Sequence, residues 1–345
     1  MASVDVTVRG GGIFGLSVAW ACARRGAKVR LIERERIGAG ASGGLVGALA
    51  PHAPESWNEM KGFQFDSLLM AESWWREVAQ AGGEDPGYLR SGRLQPLADA
   101  RAVDLARERA EAAKTLWRGA ALWQVQEATG AEWEPASPTG FLIFDTLTAR
   151  LSPRAAGAAL LAALRATGAE IVIGEGRDEG QVIHATGVAG LGDLSAALGR
   201  TVGSGVKGQA ALLRHDARDL PQIYAPGLHL VPHANGTVAV GSTSETQWSE
   251  PGPDRQAHDL IARARALLPC LARAEVLELW AGLRPRAKSR MPLIGAWPGR
   301  EGHFIANGGF KTGFGMAPRC AELLAALVLA DEDGIPPAFR PDALA

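Results

Sequence analysis

The sequence predicts an α/β protein in which a Rossmann-type domain is interwoven with an α+β domain built on a mostly antiparallel sheet. Three observations carry this expectation. The chain starts with a strand, a glycine cluster, an apolar helix and a second strand in immediate succession, the order of a βαβ unit. Further α/β segments recur in the middle and towards the end, with other material between them. The stretch from Gly205 to Trp280 is rich in short alternating strands instead of helices. A chain of 345 residues suits one large or two intertwined domains, and no Pro/Gly-rich linker divides it in series.

Taken in order, Val4 to Val8 alternate into a first strand, and an apolar helix from about Phe14 to Arg25 is closed by Gly26. Lys28 to Glu33 forms the second strand, and Ala39 to Pro54 a Gly/Ala/Ser-rich loop. Amphipathic helices are predicted around Gln64–Ala81 and Asp99–Arg118. Ser152-Pro153 has the N-cap and first-turn proline pattern of a helix that runs to Gly168. Strands EIVIG and QVIHATG follow, then VKGQAALL, LHLVPH, TVAVGST and EVLELW, with one helix near Arg255–Leu268. HFIANGG and a helix from about Ala317 to Leu329 come last. The division predicted is a discontinuous first domain of residues 1–75, 150–204 and 281–345, and a second of residues 76–149 and 205–280.

Apolar residues make up 47% of the chain, enough for a sizeable core, and the net charge of −1 comes without any dense Lys/Arg block. No nucleic-acid partner is therefore expected. Cys22, Cys270 and Cys320 have no metal-binding spacing, and Cys22 and Cys320 sit on apolar helical stretches as small hydrophobes. No metal is expected. The N-terminal residues carry no secretory pattern, and the longest apolar stretch is interrupted by Arg319 and Glu322. A cytoplasmic protein without a membrane span is the expectation.

Gly10-Gly11-Gly12-Ile13-Phe14-Gly15 reads G-x-G-x-x-G between a strand and a helix. Gly10 permits the tight turn, Gly12 lets the backbone approach a pyrophosphate, and Gly15 lets the helix pack closely on the strand. The N–H groups opening the helix then face the phosphates. Glu33 closes the second strand where a carboxylate would accept from ribose hydroxyls and repel a 2′-phosphate. Arg9, just before the glycines, reads as a paired strand-end charge, the alternative being a place near the flavin.

From these residues outward the chain resembles the D-amino-acid oxidase superfamily of FAD-dependent oxidoreductases, its glycine oxidase branch above all. GGGIFGLSVAWACARRGAKVRLIER, which includes Arg34, is similar to the FAD entry motif. GAGASGGLVGALAPH resembles the loop beside the flavin, with Ser42, Gly43, Gly47 and Ala48 in matching places. VIHATGV is similar to the central strand whose Thr186-Gly187 turn backs the cofactor. WAGLRPRAKSRMPLIG and FIANGGFKTGFGMAP resemble two closing motifs.

The resemblance implies non-covalent FAD, because the surroundings of His52 do not match the covalently attached members. It implies that Arg284 binds a substrate carboxylate, the alternative being a structural arginine before Pro285. Gly308, Gly309, Phe310, Lys311, Thr312 and Gly313 resemble the turn whose N–H groups face the flavin pyrimidine carbonyl. Lys311 stands where that branch has a basic residue, with a solvent-facing lysine as the alternative. His229 occupies the place of an active-site tyrosine, either as a ligand-binding group or as a satisfied buried histidine. Ser289 replaces an acid common in the closing motif.

The implied activity is oxidation of the C–N bond of a small amino acid or amine by hydride transfer to flavin, with O2 or another acceptor reoxidising it. A homo-oligomer is compatible with the sequence. Three other functions stay open at this point: oxidation of a carboxymethylaminomethyl group on tRNA, service as the FAD-bearing subunit of a hetero-oligomeric dehydrogenase, and oxidation of a hydroxy acid or polyol.

Overall fold

The computed structural model describes residues 4–344. Six strands form one sheet in the order Leu293–Ala296, His303–Asn307, Gln181–His184, Val6–Arg9, Val29–Glu33, Glu170–Ile173. All neighbours pair in parallel except Leu293–Ala296 with His303–Asn307. Parallel strands need a crossover, and helix Ile13–Ala23 supplies it between Val6–Arg9 and Val29–Glu33. Every residue of that helix is buried. Helices Pro153–Ala166 and Gly313–Ala330 pack against it, and Glu59–Gly82 packs on both.

Side chains cap several helix starts, of which the sequence marks Ser152 alone as a cap; helix Glu59–Gly82 begins five residues before the predicted Gln64. Asn58 Oδ1 accepts from Lys61 N at 3.0 Å, and Asp99 Oδ1 accepts from Ala102 N at 2.8 Å. Ser152 caps Pro153–Ala166, whose first residue is the proline that needs no N–H there. Arg9 is paired, its Nε donating to Asp178 at 2.6 Å and Nη2 to the Gly176 carbonyl at 3.0 Å.

Helix Gly313–Ala330 begins four residues before the predicted Ala317. Pro318 lies inside it, and the glycines at 313 and 315 belong to its first turn. By length and mean hydropathy of 1.4 this one helix, among the described residues, meets the requirement for a membrane span. It is nonetheless packed as a core helix, and Arg319 and Glu322 are ion-paired with Asp66 and with Arg24 and Arg25. Cys22, Cys270 and Cys320 are unpaired, and burial in the helices raises the thiol pKa of Cys22 to about 12.

Eight strands form the second sheet, in the order Val276–Ala287, Gly203–Arg214, Thr237–Gly241, Leu228–Pro232, Gln222–Ala225, Arg93–Pro96, Phe141–Asp145, Trp123–Glu127. Only Gln222–Ala225 with Arg93–Pro96 is parallel. Side chains alternate between its two faces. Leu228, Leu230, Val238, Val240, Ala211 and Leu213 face helix Arg255–Leu267 and close one core. The other face carries Ala210, Val231 and Ala239, which pack with Leu45, and it meets the loop that follows Glu33.

Candidate FAD and substrate site

The first glycines are held by contacts that admit no side chain. Gly10 has φ +110°, and a methyl group on it would lie 2.3 Å from the Ala185 carbonyl oxygen. A methyl on Gly15 would lie 1.9 Å from the carbonyl oxygen of Gly10 itself. The helix therefore starts against the strand end, with its free N–H groups directed out of the turn. Ser42 crosses from the next loop, its Oγ accepting from Ile13 N at 2.9 Å. Glu33 accepts from Gly11 N at 2.6 Å through Oε2 and from Glu35 N at 2.9 Å through Oε1. Arg34, next along, is exposed.

These elements border a cleft of about 300 Å³ lined by Gly11, Ile13, Arg36, Ser42, Gly43 and Arg154 among others. Arg154 ties its far wall in place, donating to the Gly43 carbonyl at 2.9 Å and pairing with Glu278. Gly47 is pressed on Leu151, where a methyl would lie 1.9 Å from the carbonyl oxygen, and Ala48 pairs with Arg150. Thr186 and Gly187 open helix Gly187–Ala197 next to Gly10, and the buried Thr186 Oγ1 has no partner. A glycine cradle, a nearby carboxylate and an unpartnered hydroxyl fit a dinucleotide such as FAD.

The turn Gly308–Gly313 closes on the same place. A methyl on Gly309 would lie 2.9 Å from Phe14 Cζ, and one on Gly313 3.7 Å from Ile13 Cγ2. Phe310 N donates to the Pro285 carbonyl at 3.0 Å, which joins this turn to the strand bearing Arg284. Thr312 is the N-cap of helix Gly313–Ala330. Lys311 has its pKa lowered, first by burial and then by Arg284. The sequence-named residues of the first and last motifs are thus brought together.

The second part of the site lies on the eight-stranded sheet. Trp280, Ala210, Gly241, His229 and Tyr224 form one row of direct cross-strand partners, so their side-chain positions share a face. Gly282 and Arg284, two and four residues after Trp280, share it too. A methyl on Gly241 would lie 2.8 Å from Val46 Cγ2, and one on Gly44 3.2 Å from Trp280, so this face abuts the loop beside the cleft.

Arg284 is 8% exposed and donates from Nη1 to the Thr243 carbonyl at 3.0 Å. Burial pushes its pKa down to about 10, with Glu245 opposing the shift. Glu245 belongs to a buried set behind it: it accepts from Gln209 Nε2 at 3.0 Å, and Lys207 Nζ lies 3.6 Å from Glu245 and 2.8 Å from Asp254. His229 has its pKa pushed down to about 3 by burial, then by Arg93, Lys311 and Arg284. Its Nδ1 is buried without a hydrogen-bond partner among the described residues.

Sequence reasoning missed Tyr224, whose ring lies 4.7 Å from that of His229, and Arg93, which is paired with Asp145 at 2.9 Å and sits under the Tyr224 ring. It also missed Arg36 and Arg154 at the cleft, and Gly208 below Arg284. A signal existed for Gly208 and Gly282, because a glycine inside a strand marks a close approach.

Residues 5–327 match the family described as DAO, FAD dependent oxidoreductase. Glycine oxidase of Geobacillus kaustophilus is 27% identical over 94% of this chain and 92% of its own length. A putative thiamine biosynthesis oxidoreductase, ThiO, of Rhizobium etli is 30% identical over 95% and 97%. The fold is that of solved relatives: the crystal structure of the Geobacillus glycine oxidase superposes with a TM-score of 0.83 over 97% of both chains at 24% identity. Iminodiacetate oxidase from Chelativorans superposes with a TM-score of 0.85 at 22% identity, covering 97% of this chain and 98% of its own. With the nucleotide cradle, the six- and eight-stranded sheets and a match along almost the whole length, the chain belongs to the DAO family of FAD-dependent oxidoreductases.

Proposed function

We propose that this enzyme oxidises the C–N bond of a small carboxylated amine, of the glycine, sarcosine or D-amino acid type, with non-covalently held FAD. One observation carries the reading: a buried arginine guanidinium, Arg284, stands on the sheet face that abuts the loop beside the nucleotide cleft. A planar guanidinium takes a carboxylate through two parallel hydrogen bonds, and in a buried setting those bonds are strengthened. The relatives named glycine oxidase support the same substrate class.

Gly10, Gly12, Gly15 and the N–H group at Phe14 would hold the pyrophosphate of FAD, with Ile13, whose N–H goes to Ser42 Oγ, beside it, Glu33 its ribose, and Ser42, Gly43, Thr186 and the Gly308–Gly313 turn its remaining length. Bound there, FAD supplies the two-electron acceptor for the substrate's α C–H hydride. Arg284 anchors the carboxylate, and Lys311 adds a second positive charge beside it. His229, kept neutral by burial and its cationic neighbours, offers a hydrogen-bonding ring without a charge of its own. The cations acting on His229 disfavour an ammonium nearby, so the amine binds unprotonated and no side chain has to remove its proton. The imine product is hydrolysed by water.

The test is an anaerobic screen of the purified yellow protein, following flavin bleaching with glycine, sarcosine, D-amino acids, L-proline and hydroxy acids, then a peroxide assay in air. Small amino acids are expected to bleach the flavin, and Arg284→Ala to raise their KM. Bleaching by hydroxy acids alone would overturn the substrate class, and unchanged kinetics of Arg284→Ala would overturn the anchor.

A further inference from the structure

Strands Gly203–Arg214 and Val276–Ala287 each carry a glycine in mid-strand, and Gly208 and Gly282 are direct cross-strand partners. Neither has a positive φ, so the backbone does not require glycine at either place. Space does. A methyl on Gly208 would lie 1.8 Å from Nη2 and 2.1 Å from Cζ of Arg284. A methyl on Gly282 would lie 2.4 Å from Cζ2 and 2.6 Å from Cη2 of Trp280. Cβ positions of direct partners stand about 5 Å apart, so the guanidinium and the indole edge lie side by side over one bare patch of backbone.

We propose that the Gly208–Gly282 pair is a seat that fixes Arg284 as the carboxylate clamp and Trp280 as the wall beside it, so that the site favours amines with little or no substituent on the α-carbon. This rests on the reading of Arg284 as the substrate anchor. The guanidinium is held on one side by the strand backbone at Gly208 and tethered by the Thr243 carbonyl at 3.0 Å. Trp280 is wedged between Gly282 and Gly44, with its ring 3.2 Å and 3.3 Å from a methyl placed on Gly44. The indole cannot swing back without meeting backbone, so it fills volume next to the anchored carboxylate. An apolar ring edge there also excludes water from the guanidinium, in agreement with the depressed pKa of Arg284.

Gly208→Ala tests the seat. The three atoms nearest its methyl are all of the Arg284 guanidinium, the far end of a long side chain, and ordinary strand φ values suit alanine, so the holoenzyme is expected to form with the guanidinium displaced. The KM for the best small amino acid is expected to rise on the order of 100-fold, with a smaller change in kcat. Binding of the corresponding amide, which has no carboxylate, should stay within about twofold. Trp280→Ala is expected to raise kcat/KM for D-phenylalanine relative to glycine about tenfold or more, and Trp280→Phe, which keeps the packing on Leu45, to move the ratio the same way by less. If Gly208→Ala leaves KM unchanged while Arg284→Ala raises it, the seat is wrong and the anchor stands. If neither changes KM, the anchor itself is wrong. An unaltered substrate ratio in both Trp280 variants removes the wall.

Discussion

Gly15 is in backbone contact with Gly10, and a methyl group on Gly15 would lie 1.9 Å from the Gly10 carbonyl oxygen. The contact sets where the first helix begins relative to the strand, and so where its free N–H groups point. Gly15→Ala is expected to yield a protein that purifies colourless, as read from its flavin absorbance. Gly26→Ala is the comparison, because Gly26 has φ +89° but open space around it. It should keep its flavin and lose about 1 kcal/mol of stability from backbone strain alone.

Glu33 is already oriented by Gly11 N and Glu35 N, so its carboxylate is fixed before any ribose arrives. Glu33→Gln should weaken FAD binding about tenfold, the loss of one charge-assisted hydrogen bond. Titration of the apoprotein with FAD, followed by fluorescence quenching, measures it. An unchanged dissociation constant would rule out the ribose contact.

Lys207 is 0% exposed and donates to Asp254 Oδ2 at 2.8 Å and to the Glu250 carbonyl at 2.9 Å. Removing its charge leaves the buried Glu245 with hydrogen bonds from Gln209 and Thr243 but without its lysine counter-charge. Lys207→Met is expected to destabilise the protein by about 3 kcal/mol in urea. Because Thr243 and Glu245 lie on the same segment, carboxylate binding by Arg284 should weaken with it.

Acid sensitivity follows from the buried histidines. Burial is the first cause that lowers His184 and His233 to about 4 and His229 to about 3. Their folded values lie below the unfolded value of 6.5, so below that pH the unfolded chain takes up protons that the folded chain refuses. Stability is therefore full above about pH 6.5 and declines as pH falls towards about 4. The urea midpoint measured between about pH 8 and pH 5 should fall on the acid side, and His184→Phe should flatten the slope. For the same reason kcat/KM should show no inflection from His229 between about pH 5 and 8.

Much of the nucleotide half was legible because its signals are local. Gly10 to Glu33 spells out strand, turn, helix and strand within one window, and the cap at Ser152 sits next to the helix it starts. The second sheet was only half legible. Arg93–Pro96 and Trp123–Glu127 are short and partly polar, and Arg93–Pro96 finds its parallel partner Gln222–Ala225 far along the chain. Helix Gly187–Ala197 escaped because glycines at 187, 190 and 192 depress its helix propensity. Tyr224 and Gly208 gain their meaning from cross-strand register, which no window of sequence contains.

Helix Gly313–Ala330 packs on helix Ile13–Ala23, roughly 300 residues earlier in the chain. At about 5–20 residues per second, a ribosome needs about 15–60 s between making the phosphate-facing turn and making the helix that covers it. The nascent N-terminal half thus carries an apolar helix with one side bare throughout synthesis. A stalled or shortened translation product that lacks Gly313–Ala330 exposes that side to chaperones or to other chains.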